Sequence, residues 1–197
     1  GTGGAFGYRM GNGGHHIRLS NGEIRNTYNS GIQDSKNHHN EYINLKIHDA
    51  WQGAYVNPGE FSGGKKSYGI YLNGDYNLVQ GCELYNNYGY GMHLYSQTGY
   101  PSHNTLINNK FYDNDKAGIG IFRGDGNIVI NNIAWNNERG IQVDLDATNT
   151  IVYNNTFYSN KKNEILLGRS NVSFVKNNLF VGTSLYPVFQ VSNGSGA

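Results

Sequence analysis

His93 and Tyr95 stand two residues apart in the string GMHLY, and on an extended strand that spacing puts both side chains on one face. An imidazole beside a phenol makes a pair in which one group takes a proton and the other gives one. Arg123 supplies a permanent cation suited to a carboxylate. Tyr71, Asn73, Phe122 and Gln142 are types that hold sugars, since rings stack on pyranose C–H faces and amides hydrogen-bond hydroxyls. The same aromatics also serve as plain strand surface, where β-propensity favours them. Asp144 and Asp146 are two apart, and Asp125 sits one repeat earlier. Three carboxylates gathered with carbonyl and amide oxygens hold Ca²⁺ or supply the acid and base of a hydrolase. Arg123 and Arg169 in the same strip offer the other outcome, a surface ion-pair network.

Composition narrows the setting of this chemistry. The 197 residues carry 15 basic and 14 acidic side chains, a net charge of +1. No basic excess drives binding to nucleic acid or an anionic membrane. Apolar runs are a few residues long, so no membrane span is expected. One cysteine, Cys82, excludes an internal disulfide and a cysteine-rich zinc cluster. The 28 glycines and 30 asparagines favour turns over long helices, while 16 tyrosines argue against disorder.

A repeat dictates the fold. Asn108-Asn109, Asn131-Asn132, Asn154-Asn155 and Asn177-Asn178 recur at intervals of 23 residues. A second phrase keeps step: Gly31-Ile32, Gly69-Ile70, Gly91-Met92, Gly118-Ile119 and Gly140-Ile141. Each unit reads as a short strand, a Gly/Asn turn, a second short strand and another turn, which is one coil of a parallel β-helix. The column Ile24, Ile47, Leu84, Phe111, Ala134, Phe157, Phe180 is apolar throughout and points inward. One residue earlier, Glu23, Lys46, Glu83 and Lys110 alternate in sign on the outer face. Asn109, Asn132, Asn155 and Asn178 are expected to stack inward as an amide ladder. Tyr85, Tyr112, Trp135 and Tyr158 form an aromatic column, read as a stabilising ladder or a second sugar platform. His15-His16 and His38-His39 fall in matching turns of adjacent coils, where any polar residue serves; metal binding is the other reading. A stretch at about 51–67 interrupts the period, and insertions of that kind build binding walls. Trp51 and Lys65 within it are therefore candidate substrate contacts.

The strings GIYL…NLVQGCELYNNYGYGMHLY and GIQVD…NTIVYNNTFYSN resemble the right-handed parallel β-helix repeat of the pectate-lyase-like superfamily. The resemblance implies an all-β, single-stranded right-handed parallel β-helix of seven to eight coils, one domain over residues 1–197. It implies that the strand after Gly-Ile forms the working face. It also implies a carbohydrate-active protein with Ca²⁺ bridging enzyme and uronate. The favoured reading is a secreted or cell-surface polysaccharide lyase that cleaves an acidic polysaccharide by β-elimination. There Ca²⁺ at Asp125, Asp144 and Asp146, or Arg123, neutralises the uronate carboxylate, and His93 and Tyr95 act as base and acid. The alternative is a non-catalytic carbohydrate-binding or adhesin-like module, and a glycoside hydrolase stays open. The expected partner is an acidic polysaccharide, and the domain is expected to belong to a longer, multidomain chain.

Overall fold

The computed structural model describes residues 6–51, 67–169, 171–182 and 185–192. Among these residues 22 strands and no helix form three parallel sheets of eight, seven and seven strands, about seven coils. Each coil gives one strand to each sheet, paired with its counterpart in the next coil. Thus Lys110–Tyr112 lies between Glu83–Tyr85 and Ile133–Trp135. The Gly-Ile strands build the first sheet, from Phe6–Met10 to Phe189–Val191; the second runs from Arg18–Ser20 to Asn171–Lys176, the third from Glu23–Arg25 to Leu179–Val181.

Two strands per coil are legible in the sequence, yet the structure has three, because the asparagine pair is itself a corner. Asn108, Asn131, Asn154 and Asn177 adopt left-handed φ of 55–58°, a conformation asparagine tolerates better than most side chains. The following Asn109, Asn132 and Asn155 are buried, each taking the backbone N–H of the preceding coil's residue on its Oδ1 at 2.8–2.9 Å. Both other corners use the same device. Asp113, Asn136 and Ser159 turn left-handed before the ladder Asn114–Asn137–Asn160, and His39, Tyr76, His103 and Gly126 before Asn40–Asn77–Asn104–Asn127.

Between the three ladders lies one continuous apolar core. Ile47, Leu84, Phe111, Ala134 and Phe157 are fully buried from the third sheet, as the alternation predicts. Ile32, Ile70, Met92, Ile119, Ile141 and Ile165 enter from the first sheet, and Val79, Leu106, Val129 and Val152 from the second. In the outer charge column Lys110 Nζ lies 3.0 Å from Glu83 Oε1, while Glu23 pairs with His48 and Arg25.

Candidate functional site

Registry aligns the outward residues of the first sheet in two columns. The first runs Arg9, Gln33, Tyr71, His93, Gly120, Gln142, Leu166. In the second, Tyr95 lies beside Phe122 and Phe122 beside Asp144. A side chain at Gly120 would collide with Phe122 and Tyr90, since a Cβ there would stand 2.7 and 2.9 Å from their rings. The glycine thus leaves a slot into which these rings fold.

His93 occupies the centre of the resulting cluster. Its ring is parallel to Tyr90 at 4.7 Å and to Tyr95 at 5.5 Å, tilted against Tyr68 at 4.6 Å and edge-on to Phe122 at 5.2 Å. The side chain is 8% exposed, and Nδ1 is buried without a hydrogen-bond partner. Burial pulls its pKa from 6.5 to about 3, because no neighbouring charge repays the desolvation of an imidazolium. Burial likewise pushes the Tyr90 phenol up to about 12 and raises Tyr71.

Around the cluster the sheet ends in a polar rim. Arg123 sits at φ 72°, lays its guanidinium 5.8 Å from the centre of the Tyr95 ring, and donates from Nη1 to the carbonyls of Ser96 and Gln97 at 3.3 and 3.1 Å. Asn73, two strands from Arg123 in the first sheet, accepts the Lys36 backbone N–H. Lys36, Asn73, Asp75, Ser96, Thr98 and Tyr100 line a groove of about 320 Å³ beside this rim. So Tyr71, Asn73, His93, Tyr95, Phe122 and Arg123 share one patch.

The other candidates are distributed differently. Gln142 and Asp144 lie one coil further on, with Gln142 Nε2 3.4 Å from Asp144 Oδ2. Asp144 Oδ1 accepts the N–H groups of Leu145 and Arg169 at 2.7 and 2.8 Å. Asp125 Oδ1 accepts from Thr148 and Asn149 at 2.6 and 2.7 Å, which holds its carboxyl below the usual range. Among the described residues no three His, Cys, Asp or Glu gather to hold a metal ion. Trp51 is exposed at the mouth of a separate cavity of about 300 Å³ with Asp49, Tyr88 and Asp115. Lys65 lies outside the described residues. The column His48, Tyr85, Tyr112, Trp135, Tyr158 stacks face to face at 4.4–5.7 Å. Ring faces there are covered by the next ring, leaving edges for solvent, so the column reads as a stabilising ladder rather than a sugar platform.

Residues 57–197 match the model for a right handed beta helix region. The chain belongs to that right-handed β-helix family. No curated protein matches it. Among solved structures, a mutant of a periplasmic alginate epimerase aligns with a TM-score of 0.67 at 15% identity. The alignment covers 94% of this β-helix and 48% of the epimerase chain, so the chain spans about half the length of that structure. At that identity the likeness shows the shared fold.

Sequence reasoning missed three features of this β-helix's patch. Tyr68 and Tyr90 complete the enclosure of His93; each directly precedes the glycine of a Gly-Ile or Gly-Met start, a signal in plain view. Lys36 joins the groove from the preceding coil, with no comparable signal. Among the described residues no helix is long and apolar enough to cross a membrane.

Proposed function

We propose that this β-helix is a carbohydrate-active protein that engages an acidic polysaccharide along the groove beside its first sheet, outside the cytoplasm. The observation that carries this reading is the Arg123 guanidinium, fixed over Tyr95 by two carbonyls and set beside the groove of Lys36, Asn73 and Tyr100. A pre-positioned guanidinium binds carboxylate with little entropy left to lose, the exposed Tyr100 ring offers a face to a pyranose, and Asn73 and Ser96 offer hydroxyl partners. The alignment with an alginate epimerase supports the choice of polymer class.

A second reading, β-elimination, is favoured by the Arg123–Tyr95 pairing. Arg123 stabilises the charge that develops on the uronate carboxylate; Tyr95, as phenolate, takes the proton from C5, and the phenol so formed gives that proton to O4 as the C4–O4 bond breaks. Neutral His93 packs parallel to Tyr95 and holds its ring.

Affinity electrophoresis through gels containing polyuronate or a neutral glucan tests the binding reading. Polyuronate alone should retard the protein, and Arg123→Asn, which suits the left-handed backbone, should weaken binding about five- to tenfold. Ultraviolet absorbance of an unsaturated product decides elimination: Tyr95→Phe should abolish any such signal while leaving retardation in place.

A further inference from the structure

The geometry points to a binding site for a divalent transition-metal ion of the Cu²⁺ or Ni²⁺ type at the paired histidines His15-His16 and His38-His39, one ion per pair. Four of the chain's seven histidines stand here, at the corner between the first and second sheets. In each dipeptide the two Nδ1 atoms lie 2.9 Å apart on exposed rings. Left-handed backbone at His16 (φ 58°) and His39 (φ 57°) folds each second ring back toward the first. The pairs then stack in register: His15 lies on His38 and His16 on His39, with centroids 5.2 Å apart and planes within 9°. Tyr76 covers the far side of His39 at 5.0 Å.

In each pair the two Nδ1 atoms face one another almost along the line of the ring centres, 5.1 Å apart, as in an N–H···N hydrogen bond; a turn of each exposed ring about its Cβ–Cγ bond directs both lone pairs to one ion. With metal–imidazole bonds of about 2.0–2.1 Å, a 2.9 Å separation subtends about 90° at the ion. That is the cis angle of square-planar or octahedral coordination, which Cu²⁺ and Ni²⁺ favour, and narrower than the tetrahedral angle of Zn²⁺. Water fills the remaining positions, since the site offers pairs of donors rather than a closed cage. Asp75 continues the His38 column one coil on and adds negative charge next to that pair. Repulsion between ions about 5 Å apart makes the second bind more weakly than the first.

Corner geometry alone does not call for these residues. The same two positions in later coils hold Asp75-Tyr76, Ser102-His103, Asp125-Gly126 and Thr148-Asn149, so the backbone turns without a pair of imidazoles. His38 and Asp75 also line the groove beside the Arg123 patch, so the two sites adjoin; metal binding is measured on the chain without polysaccharide and stands or falls independently of it.

Copper titration of the purified chain, followed by electron paramagnetic resonance and calorimetry, tests the proposal. His16→Asn/His39→Asn keeps residues that tolerate left-handed backbone, and His15→Gln/His38→Gln removes the opposite ring of each pair. The wild type should show hyperfine coupling from two imidazole nitrogens per ion, and affinity should fall at least tenfold in both double variants while their thermal melts by circular dichroism stay in place. A smaller loss in a folded variant, or a wild-type spectrum without two-nitrogen coupling, overturns the proposal. Should one variant fail to fold, the other and the wild-type spectrum decide.

Discussion

Enclosed by Tyr68, Tyr90, Tyr95 and Phe122, His93 stays neutral down to about pH 3, whereas in the unfolded chain it takes a proton near pH 6.5. Its pKa is depressed on folding, so between those values the unfolded state binds the extra proton. Stability is therefore intact above pH 6.5 and declines as the pH falls toward 3, by about 1.4 kcal/mol per pH unit from this one ring. Urea denaturation of wild type and His93→Phe at a series of pH values should show that difference in slope; parallel curves would put the ring in water. Gly120→Val should cost about 1–3 kcal/mol by forcing Tyr90 and Phe122 out of their slot. It should also return proton affinity to His93, seen as a raised midpoint in an NMR titration of the imidazole. Period-two alternation was enough to put His93 and Tyr95 on one face. Enclosure of His93 was not legible, because it depends on rings from neighbouring coils meeting over a glycine.

Coil corners are where the elements are held. Asn132 accepts from the Asn109 N–H and Nδ2 and donates to the Leu106 and Ile130 carbonyls and to Asn155 Oδ1. Asn132→Ala strands several buried polar groups at once, and a loss of about 3 kcal/mol or more in chemical denaturation is expected. The same column reads Leu45, Cys82, Asn109 upstream, and the Leu45 N–H there has the Cys82 thiol as its acceptor at 3.4 Å. Cys82→Asn supplies a carbonyl oxygen in its place and should stabilise the protein by about 0.5–1.5 kcal/mol; a loss would mean that the larger side chain does not fit the corner. One ladder of three was legible, because its asparagines repeat as pairs at a constant interval. In the ladder Asn40–Asn77–Asn104–Asn127 the preceding residues are His39, Tyr76, His103 and Gly126. Any residue that accepts left-handed backbone does that work, so no pair catches the eye, and the third strand of each coil went unread with it.

For the whole molecule, stacking turns a one-dimensional repeat into a continuous outer face on which residues tens of positions apart become neighbours. Coil register follows from the period, and it is why the fold and the residues that share the outer face of the first sheet could be read from sequence. The groove could not, since Lys36, Asn73 and Ser96 come from three successive coils, Arg123 of the next coil stands beside it on the Ser96 carbonyl, and its rim follows a turn of irregular length at 96–101. Asp125 and Asp144 find partners at hand, the first in Thr148 and Asn149 of the next coil and the second in the main-chain N–H groups of Leu145 and Arg169. With a net charge of +1, overall electrostatics draws no polyanion, so recognition of one has to come from the local cations of the groove. Migration of wild type and Arg123→Asn in polyuronate and neutral-glucan gels is the measurement that bears most directly on this. Retardation by polyuronate alone, lost in large part with the guanidinium, is the predicted result. Equal migration in both gels, or retardation that Arg123→Asn leaves untouched, would contradict it.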